Sequence, residues 1–308
     1  MVKFGDFSSL CRNVPSYPWC NLFYRQLQRT DPTFLEPPSI APVGINSACG
    51  IPHFDSSVRH LGNIANVVLC GVSVFVVLLL IVVAWRRKAA VARIELLYFL
   101  VLYLISLPLQ LLTTASYLNQ GSTALTAITA VHAGIVAALF WTLLGNALVS
   151  IQIVEDGTLS SLIPFTFLTI ALFVLTTYIS FDVAFTISHG TFGPSQPPQA
   201  LHSVAVFVLT TVWPGAATLF YFGLMTYVVL GILQEIRPMW YYILAAVLFV
   251  LSQLDFFLLS KVICLGTNSK IDGSFIATLL ETAAVTILVM AWRSITEETF
   301  DDEIYYGR

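Results

Sequence analysis

Seven runs of about 20 or more mainly apolar residues constrain this chain more than any other feature. They lie at about 64–84, 95–116, 125–151, 162–182, 203–233, 240–260 and 273–292. A helix needs about 20 such residues to cross the hydrocarbon core of a bilayer. Helices satisfy their own backbone hydrogen bonds in lipid, and these runs are too long and too uniformly apolar for the alternating strands of a barrel. Only 10% of the residues are charged, and the mean hydropathy is +0.84. Soluble domains carry roughly 25% charged residues, so the solvent of this chain is largely lipid. The expected fold class is an all-α membrane protein, a seven-transmembrane-helix bundle. Pro214-Gly215 inside the long fifth run predicts a tilt or a kink there.

Lysine and arginine in short loops set orientation. The first loop holds Arg86, Arg87, Lys88 and Arg93, the next three hold none, the fifth holds Arg237, the sixth holds Lys261 and Lys270, and Arg293 follows the last run. This places the N-terminus in the lumen and the C-terminus in the cytosol, although the N-terminal tail itself carries five basic residues, most of them far from the first run. Residues 1–62 lack the apolar core of a cleavable signal peptide. The chain divides into a lumenal Pro/Cys-containing N-terminal segment (1–62), a seven-helix transmembrane domain (63–292) and an acidic cytosolic tail (293–308). The net charge of −3 gives no reason to expect nucleic acid.

Cysteines agree with this topology. Cys70 lies inside the first span, whereas Cys11, Cys20, Cys49 and Cys264 all fall on the oxidising side. At least one disulfide among these four is expected, with three pairings open. The tail is too short and polar for a core of its own, so a cross-link would help to hold it. A bond from the loop around Cys264 to the tail is a specific possibility.

Few residues suggest chemistry. Asp255 and Glu281 sit in the last two spans, roughly 9 Å and 13 Å from the lumenal end at 1.5 Å per residue. Acids inside a membrane are functional candidates. On neighbouring antiparallel helices they approach each other or share polar partners, and a polar clamp between helices outweighs a proton or cation path. His132 in the third span reads as a buried histidine bonded to a neighbouring helix. Asp182 reads as an interfacial residue rather than a buried charge. Glu155-Asp156-Gly157-Thr158 reads as a tight turn, with Thr158 or Ser160 capping the next helix. The loop 183–202 reads as an irregular connection. Its His189 and His202 have no acid or cysteine at metal-ligand spacing, and no cofactor is implied. Asp301 and Glu303 form an acid-x-acid pair that can act as an export signal, against the plainer reading of a solvated tail.

Several stretches, in order, resemble the fungal chitin synthase export chaperone family. Phe4-Gly5-Asp6-Phe7 precedes Cys11 and a proline-containing run into Cys20. Arg87, Arg93 and Glu95 lead into Leu97-Tyr98-Phe99, and Glu155-Asp156-Gly157-Thr158 follows the third span. The last hairpin supplies Ser252-Gln253, Ile263-Cys264, Gly266, Lys270 and Asp272-Gly273, before Trp292 and Thr296-Glu297-Glu298. Pro18-Trp19-Cys20 departs from the pattern, which places a smaller apolar residue before the cysteine. The resemblance implies a multi-pass endoplasmic reticulum chaperone, not an enzyme. Its membrane client would be a chitin synthase, vesicle coat components would be further partners, and cell-wall chitin would depend on it indirectly. The competing classes are a seven-helix receptor, a cation- or proton-coupled transporter using Asp255 and Glu281, and a membrane hydrolase. The receptor lacks its usual triplet after the third span and the hydrolase lacks a histidine or acid cluster.

Overall fold

The structure, a computed structural model, describes residues 3–36, 44–50, 54–56, 59–87, 90–152, 157–188, 192, 193 and 195–306, without the side chains of 54–56, 59–61 and 297–306. Two short helices, α1 (Ser8–Asn13) and α2 (Cys20–Thr30), precede a small antiparallel hairpin, β1 (Phe54–Ser56) with β2 (Arg59–Leu61). Seven long helices follow: α3 (Ile64–Arg86), α4 (Arg93–Thr114), α5 (Thr123–Ser150), α6 (Leu159–Phe185), α7 (Val204–Ile232), α8 (Arg237–Gly266) and α9, which runs as one helix over Gly273–Tyr306. All seven are long and apolar enough to cross a membrane.

Side-chain pairs fix relative directions. Asn63, Asn66 and Ser73 at the start and along α3 meet Ser274, Thr278 and Thr282 of α9 in the same order, so these two helices are parallel. Tyr103 and Gln110 of α4 meet Thr282 and Thr278 in reverse order, so α4 is antiparallel to α9. The bundle therefore has a face that carries the N-terminal segment, called the cap face here, and an opposite tail face.

Helix α5 is the most enclosed span, because small residues let its neighbours approach. A Cβ on Gly134 would sit 2.8 Å from the Phe173 carbonyl oxygen of α6, and one on Gly145 would meet the Phe165 ring. Helix α7 passes Pro214 without ending. Pro214 cannot donate to the carbonyl four residues back, and the helix widens into a π turn at Val208–Val212 just before it. Trp213 Nε1 donates to Ala137 O at 3.0 Å, which ties this turn to α5.

The N-terminal segment does not behave as a coreless tail. Its apolar residues Phe7, Val14, Tyr17, Leu22, Phe23 and Leu27 are buried, and they form one cluster with Ala130, Ala133, Ile179, Val183 and Val206 of the spans. The tail borrows its core from the helix ends beneath it. The segment after α6 is also docked rather than loose. Phe7 N–H donates to Leu201 O at 3.0 Å, Ser203 N–H to Gly5 O at 3.0 Å, and Gln199 Nε2 to Asp31 Oδ2 at 2.8 Å. A second cluster fills the tail half of the bundle around Leu100, Leu107, Tyr221, Met225, Val289 and Trp292.

Two disulfides are formed. Cys11–Cys20 closes the cap on itself, and Cys49–Cys264 joins the end of the cap to α8 across a separation of 215 residues. Cys264 lies on the last helical turn of α8, not in a loop, since that helix continues to Gly266. Cys70 is a buried free thiol. Denatured without reductant, the protein should accept one maleimide group, and five after reduction. Replacing Cys49 and Cys264 together by serine should lower stability by about 2–4 kcal/mol, read as a lower unfolding midpoint in detergent.

Candidate functional site

A polar seam begins where the cap meets α9. Asp272 precedes the first turn of α9 and is fully buried. One carboxylate oxygen accepts from Ser274 Oγ at 2.5 Å and Ser274 N–H at 3.2 Å, and the other accepts from Ser16 Oγ of the cap. Burial raises the Asp272 pKa above the usual carboxylate range, against the opposing effect of these hydrogen bonds. Burial also raises the pKa of the cap residue Tyr17, opposed by the Thr211 hydroxyl. Gly273 is required by close packing, because a Cβ there would lie 2.8 Å from the Asp255 carbonyl oxygen.

The seam then descends between α3, α4 and α9. Asn63 Nδ2 donates to Ser274 Oγ at 2.9 Å. One turn lower, Thr278 Oγ1 lies 2.9 Å from Asn66 Oδ1 and accepts from Gln110 Nε2 at 2.9 Å. A further turn down, Thr282 Oγ1 lies 2.9 Å from Ser73 Oγ and 3.0 Å from Tyr103 OH. In lipid these groups have no water to replace a lost partner, so each bond favours one register of the three helices.

Beside the seam lies a cavity of about 400 Å³. Tyr17, Pro18 and Trp19 of the cap form its roof, and residues of α4, α5, α7, α8 and α9 form its walls. Trp19, the residue that departs from the family pattern, sits with its ring 5.2 Å from the His132 ring. His132 Nδ1 is 3.3 Å from Thr113 Oγ1 of α4, and it lines the cavity. Glu281 also lines it, with Oε1 accepting from Gln253 Nε2 of α8 at 3.0 Å.

No hydrogen bond joins the two membrane acids among the described residues. Glu281 is paired to Gln253, two residues before Asp255. Asp255 is buried, begins a π turn at Asp255–Leu259, and its Oδ2 has no hydrogen-bond partner among the described residues. Asp255 packs at the start of α9, where its carbonyl oxygen would lie 2.8 Å from a Cβ on Gly273. Asp182, expected at the interface, is fully buried and accepts from Ser188 N–H at 2.6 Å and Ser188 Oγ at 2.5 Å. Thr158 occupies the N-cap of α6, but its hydroxyl pairs with Ser160 Oγ at 2.7 Å rather than capping a backbone N–H. His202 Nε2 lies 3.0 Å from Phe4 O. His189, Glu155 and Asp156 lie outside the described residues, as do the side chains of Asp301 and Glu303. Among the described residues no cluster of three or more His, Cys, Asp or Glu suits a metal ion.

Asn63, Asn66 and Ser73 are functional residues of the seam that carry no motif in the sequence. Their signal was present: with Cys70 they recur at three- and four-residue spacing in the most apolar run, marking one face of a helix. Gln253 was noted only as part of a motif, and nothing in its spacing pairs it with Glu281.

The model of the chitin synthase export chaperone (Chs7) family matches residues 3–305, cap and seam included. The chain belongs to this family. Curated chitin synthase export chaperones align along nearly its whole length. That of Neurospora crassa is 28% identical over 302 residues, covering 98% of this chain and 79% of its own. That of Fusarium oxysporum f. sp. lycopersici is 26% identical over 301 residues, covering 98% and 84%. That of Kluyveromyces lactis is 24% identical over 304 residues, covering 97% and 94%. No solved structure matches this one. The chitin synthase export chaperone family is a chaperone family and not an enzyme family.

Two expectations follow from the seam of this family member. Asn66→Ala removes the partner of Thr278 and should cost about 1–2 kcal/mol. The Asn66/Thr278 double-mutant cycle in an unfolding titration should show a coupling of about 0.6 kcal/mol or more. Asp272 has a raised folded-state pKa, so its contribution is present below the usual carboxylate range and is lost as pH rises through its own value. Stability measured against pH should therefore fall less steeply in Asp272→Asn over that window.

Proposed function

We propose that this chain is an endoplasmic reticulum membrane chaperone that assists the folding and vesicular export of a chitin synthase. The observation that carries this reading is the family match over residues 3–305, which spans cap, bundle and most of the tail together. It favours the chaperone over a receptor or a transporter. Chitin deposition in the cell wall then depends on the protein indirectly.

The arginines of the first loop and of the tail face support a cytosolic C-terminus and a lumenal cap. That orientation places both disulfides in an oxidising compartment. A client with many membrane helices exposes polar groups that lipid cannot satisfy before assembly. A bundle that carries buried acceptors and donors of its own can satisfy them for a time. Asp301 and Glu303, at the end of α9, are suited to recruit an export coat and would couple a loaded chaperone to transport. Affinity capture of the tagged protein from fungal membranes should recover a chitin synthase, and deletion of the gene should leave that synthase in the endoplasmic reticulum. Removing residues 297–308 should preserve capture but reduce export. A synthase that is neither captured nor mislocalised would remove the chaperone role, and unaltered export after truncation would remove the tail signal.

A further inference from the structure

We propose that the cavity is a lateral docking pocket, entered from the bilayer between α7 and α8 beside Gly215, that takes one basic or hydrogen-bond-donating side chain from a transmembrane helix of the client and pairs it with Glu281. This rests on the chaperone reading and names where, and by what chemistry, the client is held.

The mouth is defined by Gly215. It lines the cavity and is itself exposed, and no atom lies within 4 Å of where its Cβ would stand. Eleven residues separate it from Val204, about 16 Å of helix at 1.5 Å per residue. Glu281 is about 12 Å along α9 from Gly273 by the same measure. Both lie at hydrocarbon depth, so an occupant arrives from the lipid side and not from water. The roof of Tyr17, Pro18 and Trp19, tied down through the disulfide-bonded cap, closes the aqueous route.

Size and charge identify the occupant. About 400 Å³ is at the small end of ligand pockets. It accommodates one long side chain and excludes a whole helix. Gln253 holds Oε1 of Glu281, while Oε2 has no hydrogen-bond partner among the described residues. No lysine or arginine lines the cavity. Asn63 Oδ1 and Asp255 Oδ2 also have no hydrogen-bond partner among the described residues, but neither residue lines the cavity, so Glu281 is the acceptor that faces a guest. Phe222 of α7 and Phe249 of α8 line the cavity from the two helices that flank this mouth, where they can cover the apolar stem of a lysine or arginine and face its charge. A basic residue in a membrane helix is costly until it is paired. A client helix that carries one therefore has reason to remain on this surface until its own partner helix arrives.

The test uses the full-length protein in fungal membranes that contain the synthase. A photo-crosslinking phenylalanine analogue replaces Phe222 or Phe249 at the mouth, or Phe75 of α3 or Phe167 of α6, which are exposed elsewhere on the bundle. Synthase adducts are expected from the mouth positions and not from the other two. Glu281→Gln should reduce the mouth adducts about tenfold, the loss of one charge-assisted bond. Gly215→Trp should reduce them similarly, and Gly215→Ala should leave them unchanged. If Gly215→Trp lowers the unfolding midpoint, Glu281→Gln carries the test alone. Equal adducts from Phe75 or Phe167, adducts to lipid only, or mouth adducts indifferent to Glu281→Gln would each overturn the pocket. Capture of the synthase by the unsubstituted protein separates the two levels. Capture without mouth adducts overturns the pocket alone, whereas absence of capture overturns the chaperone reading with it.

Discussion

The hydrogen-bonded seam along α9 is the constraint on which the other features depend. Within a bilayer there is little hydrophobic force to choose one helix register over another, since lipid and leucine are alike to an apolar face. Polar groups do choose, because a slip of one residue leaves them without partners. Asn66 and Ser73 on α3, Gln110 and Tyr103 on α4, and Thr278 and Thr282 on α9 meet in two layers one turn apart. With these three helices held, Glu281 is turned away from the seam and toward the cavity, where Gln253 of α8 reaches it.

The cap completes the arrangement from the other end. Its residues are amphipathic fragments that could not form a core alone, and they bury themselves against α5, α6 and α7 instead. Cys49–Cys264 fastens the cap to the last turn of α8, and Ser16 fastens it to Asp272 at the start of α9. The cap thus bridges the two helices that carry Gln253 and Glu281. Trp19, larger than the family pattern expects, fills the roof over His132. Gly215, on the cavity wall, has open space where a Cβ would stand.

The seven spans, their approximate ends and the family were legible in the chain itself. Apolar run length is a local property, and bilayer thickness converts it directly into a helix count. The four cysteines outside the spans and the two membrane acids also stood out, since cysteine and carboxylate are rare in this composition. What spacing along one helix could not supply was the partner of each. Asp255 and Glu281 looked like a pair on adjacent helices, yet a π turn begins at Asp255, whose Oδ2 has no hydrogen-bond partner among the described residues, and Glu281 accepts from Gln253 instead. Pro214 likewise suggested a kink, and a π turn absorbed it. Neither turn has a local signature strong enough to read in advance.

Run lengths, loop charges and cysteine positions thus determined, from the sequence alone, that this is a seven-helix membrane chain with a cysteine-bearing cap. Only the tertiary structure decided which cysteines meet, which polar residues are spent on one another and which acid is left facing a cavity. Those outcomes depend on the rotation and register of helices far apart in the chain. In lipid, register is set by the pairing of polar groups between helices, a property that no single helix possesses.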